Sequence, residues 1–219
     1  MRKMSGTDFD DLVDFFDRMA QTKWLGAIHD QLKALSGQWQ DKIILDIGCG
    51  TGRLLERGLD EAQELIGIDL SAEMVEKSRT VVSNGKSTTK SQFQTGDAYS
   101  LPIGNQTVDV ALSTCVMFLL PEPAKGLAEM TRVLKNGGTV AMLNPSTKMN
   151  PKAAEQYAEQ NNMTGFERES LLMWSNVSTK RHRYSNKELT ELLTGLKMIR
   201  VIHTPVLNQM ATITVAKKI

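Results

Sequence analysis

Residues 44–52 read Ile44-Leu45-Asp46-Ile47-Gly48-Cys49-Gly50-Thr51-Gly52, and this stretch decides the fold. The apolar run 43–47 has the character of a strand buried on both faces, as in a parallel sheet. It stops at a glycine-rich turn, after which the pattern predicts a helix over 52–62. In a doubly wound α/β sheet such a turn lies at the carboxyl edge, where ligands bind at the topological switch point. Its glycines let backbone approach a ligand closely, and free amides at a helix start favour anionic groups. The spacing also separates ligand classes. A dinucleotide fingerprint needs Gly-x-Gly-x-x-Gly, and counting from Gly48 and Gly50 the third glycine position holds Arg53. No Gly-Lys-Ser/Thr follows, which excludes a phosphate-binding P-loop.

Working outward, a second apolar run at 65–68 ends in Asp69, 23 residues after Asp46. An acid at that strand end can accept hydrogen bonds from both ribose hydroxyls of a nucleoside. Ser71 is placed to cap a helix running to about residue 83. The polar stretch 82–90 reads as an exposed turn and 91–95 as a third strand. Gly96-Asp97-Ala98-Tyr99-Ser100-Leu101-Pro102 follows, with a carboxylate suited to an adenine amino group. A fourth strand is expected at 108–112. Pro123 opens a helix with the buried stripe Leu127, Met130, Val133 and Leu134, which Asn136-Gly137-Gly138 ends before a fifth strand at 139–143. Strands alternating with helices imply a parallel sheet with right-handed crossovers.

Both ends of the chain depart from this rhythm. Residues 8–35 carry apolar positions at helical spacing, from Leu12, Phe15, Phe16 and Met19 to Leu25, Ile28, Leu32 and Leu35. Residues 145–184 hold two expected helices, 152–162 and 166–176, with no strand between them, and read as an insertion over the sheet. Ser185-Asn186-Lys187-Glu188 matches a capping box. Strands at 198–203 and 212–216, with a turn near 205–208, close the chain. The organisation is therefore a single domain over 1–219. It comprises a helical cover (1–38), a cofactor-binding core (39–144), a helical insertion or lid (145–184), and a closing helix and strand pair (185–219).

The run ILDIGCGTGRLL, followed by LIGIDLSAEMVEKSR, GDAYSLP, VDVALSTCVMFLL and EMTRVLKNGGTVAM, resembles the successive motifs of class I S-adenosylmethionine-dependent methyltransferases. The likeness is to the ubiquinone/menaquinone-biosynthesis type of small-molecule enzyme, and it spans about residues 40–145. It implies a Rossmann-like, mostly parallel seven-stranded sheet with an antiparallel last strand, and S-adenosyl-L-methionine as cofactor. Carried over residue by residue, it places Gly48, Gly50 and Gly52 around the methionine part and Asp69 on the ribose, with Asp46 and Cys49 also among the cofactor-binding residues. Leu70 and Ala98 flank the adenine, and Asp97 takes its amino group. Residues 113–115, with Thr114 and Cys115 foremost, meet the methionine amino group through backbone carbonyl.

Composition narrows the partners. Twenty-six Lys and Arg against 25 Asp and Glu give a net charge of +1, which supplies no general attraction for nucleic acid. RNA or protein methylation would call for an extended basic face. The start MRKMSGTDFDD lacks the apolar core of a signal peptide, and no apolar run has the length of a membrane span, so the expected location is cytoplasmic. Two cysteines, Cys49 and Cys115, argue against a disulfide scaffold or a zinc site, and no metal is expected.

A sulfonium methyl is already activated, so alignment and exclusion of water carry the reaction, and a general base is needed only for a poorly ionised acceptor. The sequence names no catalytic residue; His29, in the helical cover, is the candidate base. The expected acceptor pocket lies between that cover and the insertion, with Phe16, Trp24, Met117, Phe118, Tyr157 and Trp174 as linings. Lys23 is placed to meet the cofactor carboxylate. The basic cluster Lys180-Arg181-His182-Arg183 suits either a solvated face or an acidic substrate. Asn144-Pro145-Ser146 follows the fifth strand, not the fourth, and lacks the second proline and aromatic of amino-group methyltransferases. The expected acceptor is a small molecule, methylated at O, C or N. The alternative is a non-catalytic sensor or partner subunit that binds S-adenosylmethionine or S-adenosylhomocysteine.

Overall fold

The computed structural model describes all 219 residues. Its centre is a seven-stranded sheet built from β1 (Ile43–Ile47), β2 (Glu64–Asp69), β3 (Lys90–Thr95), β4 (Val108–Thr114), β5 (Leu134–Pro145), β6 (Met198–Val206) and β7 (Ala211–Lys218). The order across the sheet is β3-β2-β1-β4-β5-β7-β6. The first five strands are parallel, and β7 enters antiparallel between β5 and β6. This is the doubly wound arrangement with a reversed last strand. The order reverses between β1 and β4, so the crevice opens beyond the carboxyl ends of those two strands.

Alternation sets the two cores. Ile44 of β1 joins Val110, Leu112, Ala141 and Leu143 on the face covered by the N-terminal helices. Leu45 and Ile47 join Ala111, Val140 and Met142 on the opposite face. Strands buried on both sides explain the unbroken apolar runs.

Three helices precede β1: α1 (Thr7–Asp10), α2 (Val13–Ala20) and α3 (Lys23–Ser36). The helical spacing over 8–35 is thus divided at residues 11–12 and 21–22. Thr22 restarts the helix by accepting a hydrogen bond from the Leu25 amide. The helices α4 (Ala72–Asn84) and α5 (Pro123–Val133) follow β2 and β4, with Ser71 capping α4 and Pro123 in the first turn of α5. The insertion holds α6 (Pro151–Gln160) and α7 (Gly165–Ser178), and α8 (Asn186–Gly195) begins at a complete Ser185–Glu188 capping box.

Two expectations change. The helix over 52–62 is instead a set of turns around one 3-10 turn, Leu55–Gly58. Gly52 at φ 80° delays its start and Asp60 at φ 64° ends it, leaving too few residues to propagate a helix. Residues 136–138 lie inside β5, which starts directly after α5; a register shift between Val108 and Val110 absorbs Gly137 at φ 77°. At the last hairpin β6 runs to Val206, and Leu207, Asn208 and Gln209 make the turn in left-handed conformations.

Candidate functional site

The carboxyl ends of β1, β2 and β4 open into a cavity of about 190 Å³, closed from above by the N-terminal segment, α2 and α3. Its floor is the loop after β1. Gly48 and Gly50 hold φ of 72° and 52°, which L side chains rarely adopt. A Cβ on Gly48 would lie 2.1 Å from Val116 Cγ2, so the loop after β4 can pack this closely only against glycine.

Asp69, at the end of β2, braces that loop. One carboxylate oxygen accepts the Gly50 amide at 2.8 Å and the other accepts the Ser71 amide at 3.0 Å. Burial raises the Asp69 pKa, while bonds from the Ser71, Gly50 and Leu70 amides oppose the rise. Asp46, 1 % exposed, has no partner for Oδ1, and burial with the Asp69 charge nearby pushes its carboxyl up to about 7. Asp97, after β3, accepts the Tyr99 amide on Oδ1 at 2.9 Å and the Lys3 ammonium on Oδ2. Three carboxylates thus stand at successive strand ends around one cavity.

Arg53, in the position where a dinucleotide loop needs glycine, has a structural task. Its guanidinium donates to both oxygens of Asp17, at 2.8 and 3.2 Å, and reaches Glu56 at 3.2 Å. That fork ties α2 to the glycine loop.

The structure brings Asp46, Gly48, Cys49, Gly50, Asp69, Leu70, Asp97, Ala98, Thr114 and Cys115 to the cavity wall, together with His29 and Phe16. Gly52 lies behind the loop, where a Cβ would touch Ser78. Burial pushes the Cys115 thiol up to about 12, so it stays protonated and inert. His29 is 4 % exposed with no partner for Nδ1; burial and the Arg57 charge lower it to about 3, and the imidazole is neutral.

The other expected pocket residues go elsewhere. Met117 and Phe118 are 1 % exposed and pack into the two cores. Trp24 and Trp174 stack on each other at 5.7 Å between centroids, and Tyr157 joins Trp24, Lys23 and Glu167 along a separate outer groove. That groove is what lies between the cover and the insertion. No residue of 145–184 lines the main cavity; α7 packs on α6 and α2, and its Trp174 stacks on Trp24 of α3. Of the basic cluster, Arg181 donates to the Arg2 carbonyl and Arg183 to the Met149 carbonyl. Asn144, 1 % exposed, does not reach the cavity.

Several lining residues were not named as site residues from the sequence: Lys3, Met4, Phe9, Leu25, Leu54, Met74, Val116 and the stretch Leu119-Leu120-Pro121. The last four follow β4 and were open to the carboxyl-edge argument. Lys3 and Met4 carried no local signal.

Residues 45–142 match a family model described as a methyltransferase domain. The chain is 30 % identical to a demethylmenaquinone methyltransferase of Lactiplantibacillus plantarum, over 65 % of this chain and 63 % of that one. It is also 30 % identical to an arsenite methyltransferase of Halobacterium salinarum, over 63 % of this chain and 34 % of that one. The chain spans between about a third and two thirds of the length of such relatives. The magnesium protoporphyrin IX methyltransferase of Synechocystis, solved with SAH bound, superposes with a TM-score of 0.72 at 13 % identity, covering 98 % of both chains. At that identity the likeness concerns the fold. No helix is long and apolar enough to cross a membrane.

Proposed function

We propose, for a chain whose residues 45–142 match a methyltransferase-domain family model, that it binds S-adenosyl-L-methionine and transfers its methyl group to a small, partly apolar acceptor. The observation that carries this reading is the convergence of Asp46, Asp69 and Asp97 with the left-handed glycine loop on one cavity. The residues present fit the cofactor. Asp69, already braced by two amides, keeps lone pairs for ribose hydroxyls, and Asp97 suits an adenine amino group. The buried, unpartnered Asp46 oxygen suits an ammonium group at the other end.

When bound, the cofactor supplies a methyl group on an activated sulfonium. The chain's own residues then hold and align. Phe16, Met19, Leu25, Leu119 and Leu120 exclude water from the acceptor side, which favours transfer between oriented partners. His29 lines the cavity as a neutral imidazole; with its pKa lowered to about 3 it is a weak base, and it suits a hydrogen bond to an acceptor hydroxyl rather than abstraction of its proton. In this reading residues 39–144 carry the cofactor, 1–38 close over it and 185–219 complete the sheet. The insertion 145–184 buttresses the cover; it is not a lid.

Titration calorimetry with S-adenosylmethionine and S-adenosylhomocysteine tests the proposal. Binding is expected, and Asp69→Ala weakens it by about 1.5–3 kcal/mol through loss of hydrogen bonds to a charged group. No heat at millimolar ligand would overturn the cofactor assignment, and unchanged affinity in Asp69→Ala would overturn the ribose role. Methyl transfer to an acceptor in a metabolite extract separates the enzyme from a non-catalytic binder.

A further inference from the structure

The N-terminal segment 2–6 lies against the adenine end of the cavity, and its contacts are too many for a loose tail. Lys3 and Met4 line the cavity wall. The Lys3 ammonium binds Asp97 Oδ2 and stands 4.5 Å from the centre of the Tyr99 ring. Gly6 passes so close to the turn after β2 that a Cβ there would lie 2.3 Å from the Leu70 carbonyl oxygen. Asp10 accepts the Ser71 hydroxyl at 2.6 Å. Further out, Arg2 pairs with Asp8 at 2.9 Å, and Arg181 donates to the Arg2 carbonyl at 3.2 Å.

We propose that residues 2–6 form a strap over the adenine half of the cavity, latched by Lys3 on Asp97, and that Lys3 is a positioning residue which slows exchange of the bound nucleoside. The proposal rests on the cofactor assignment above and adds a residue outside the methyltransferase motifs. A carboxylate offers about four acceptor positions, so Asp97 can hold the Tyr99 amide, Lys3 and an adenine amino group together. The strap thus closes over the nucleoside without giving up its latch. Entry and exit both require the Lys3–Asp97 pair to part. Lys3 is 44 % exposed and Asp97 33 %, so the pair opens readily and is screened by salt.

The test is release of S-adenosylhomocysteine from the full chain, followed by stopped-flow displacement. For Lys3→Ala, release is expected to be about three- to thirtyfold faster, the range for one half-exposed ion pair plus one cation–aromatic contact. Lys3→Arg should keep slow release. Raising the salt should speed release from the natural chain toward the Lys3→Ala rate and leave that variant nearly unchanged. Equal release rates, or equal salt responses, in the natural chain and Lys3→Ala would overturn the latch.

A readout without ligand keeps this separate from the cofactor assignment. In the free protein, hydrogen exchange at Ser5 and Asp8, whose amides tie the strap to the start of α1, should be faster in Lys3→Ala. Failure of the natural chain to bind S-adenosylhomocysteine overturns the cofactor reading. Unchanged exchange in the free protein overturns the strap.

Discussion

At the scale of single residues, Asp46 and His29 put opposite pH dependences into one cavity wall. Burial and the Asp69 charge push the Asp46 carboxyl from 3.8 to about 7. Between those values the folded chain keeps a proton that the unfolded chain has lost, so this group's contribution to stability falls as pH rises through the window. His29 runs the other way. Lowered by burial from 6.5 to about 3, it contributes stability above its unfolded value and loses it as pH falls from 6.5 toward 3. Asp46→Asn removes the first dependence and leaves the second. By urea denaturation, the variant should be more stable than the natural chain at pH 8 by about 1–3 kcal/mol, with the gap closing toward pH 4. Equal pH profiles would sink this account of Asp46. Asp69 and Asp97 were legible as ligand acceptors from their places at strand ends, whereas Asp46 entered only with the glycine loop that follows it. The coupling of Asp46 to Asp69 was not legible, because it depends on how deeply the packed helices bury them.

At the scale of elements, α2 is the informative case. Its eight residues are too few to hold a helix in water, so its order comes from what it touches. The Arg53–Asp17 fork and the edge-on contact of Phe15 with Phe166, 5.2 Å between centroids, supply that order. Asp17→Ala should cost about 1–3 kcal/mol, since it strips a partly buried guanidinium of its main partner. Hydrogen exchange should speed up over residues 13–20 before the sheet is affected. Uniform loss of protection would show instead that α2 and the sheet unfold as one unit. The sequence made the capped and periodic elements readable: α4 behind Ser71, α5 behind Pro123 and α8 behind its capping box. It misled at 52–62, where periodicity continued through a glycine and an aspartate that adopt left-handed φ.

At the scale of the whole molecule, the cover faces the cavity on one side and holds the insertion on the other, so the insertion does not reach the cavity. Trp24 and Trp174 lie nearly parallel, 13° between ring planes, and both belong to the core on the cover side of the sheet. Trp174→Ala should lower stability by about 3–5 kcal/mol, the usual cost of emptying a large buried site. Because Trp174 lies away from the cavity, affinity for S-adenosylhomocysteine should change little at temperatures where the variant is folded. Loss of affinity in step with stability would return the insertion to the ligand site. The sequence by itself determined the alternating strands and helices of the parallel core and the carboxylates Asp69 and Asp97 after their strands, because those follow from periodicity, caps and short-range spacing; the reversed last strand was implied by the family resemblance. Only the tertiary structure decided that the insertion faces away from the cavity and that Lys3 meets Asp97 across 94 residues. Contacts between distant segments depend on which apolar faces pair, and one chain's pattern of apolar residues allows more than one pairing.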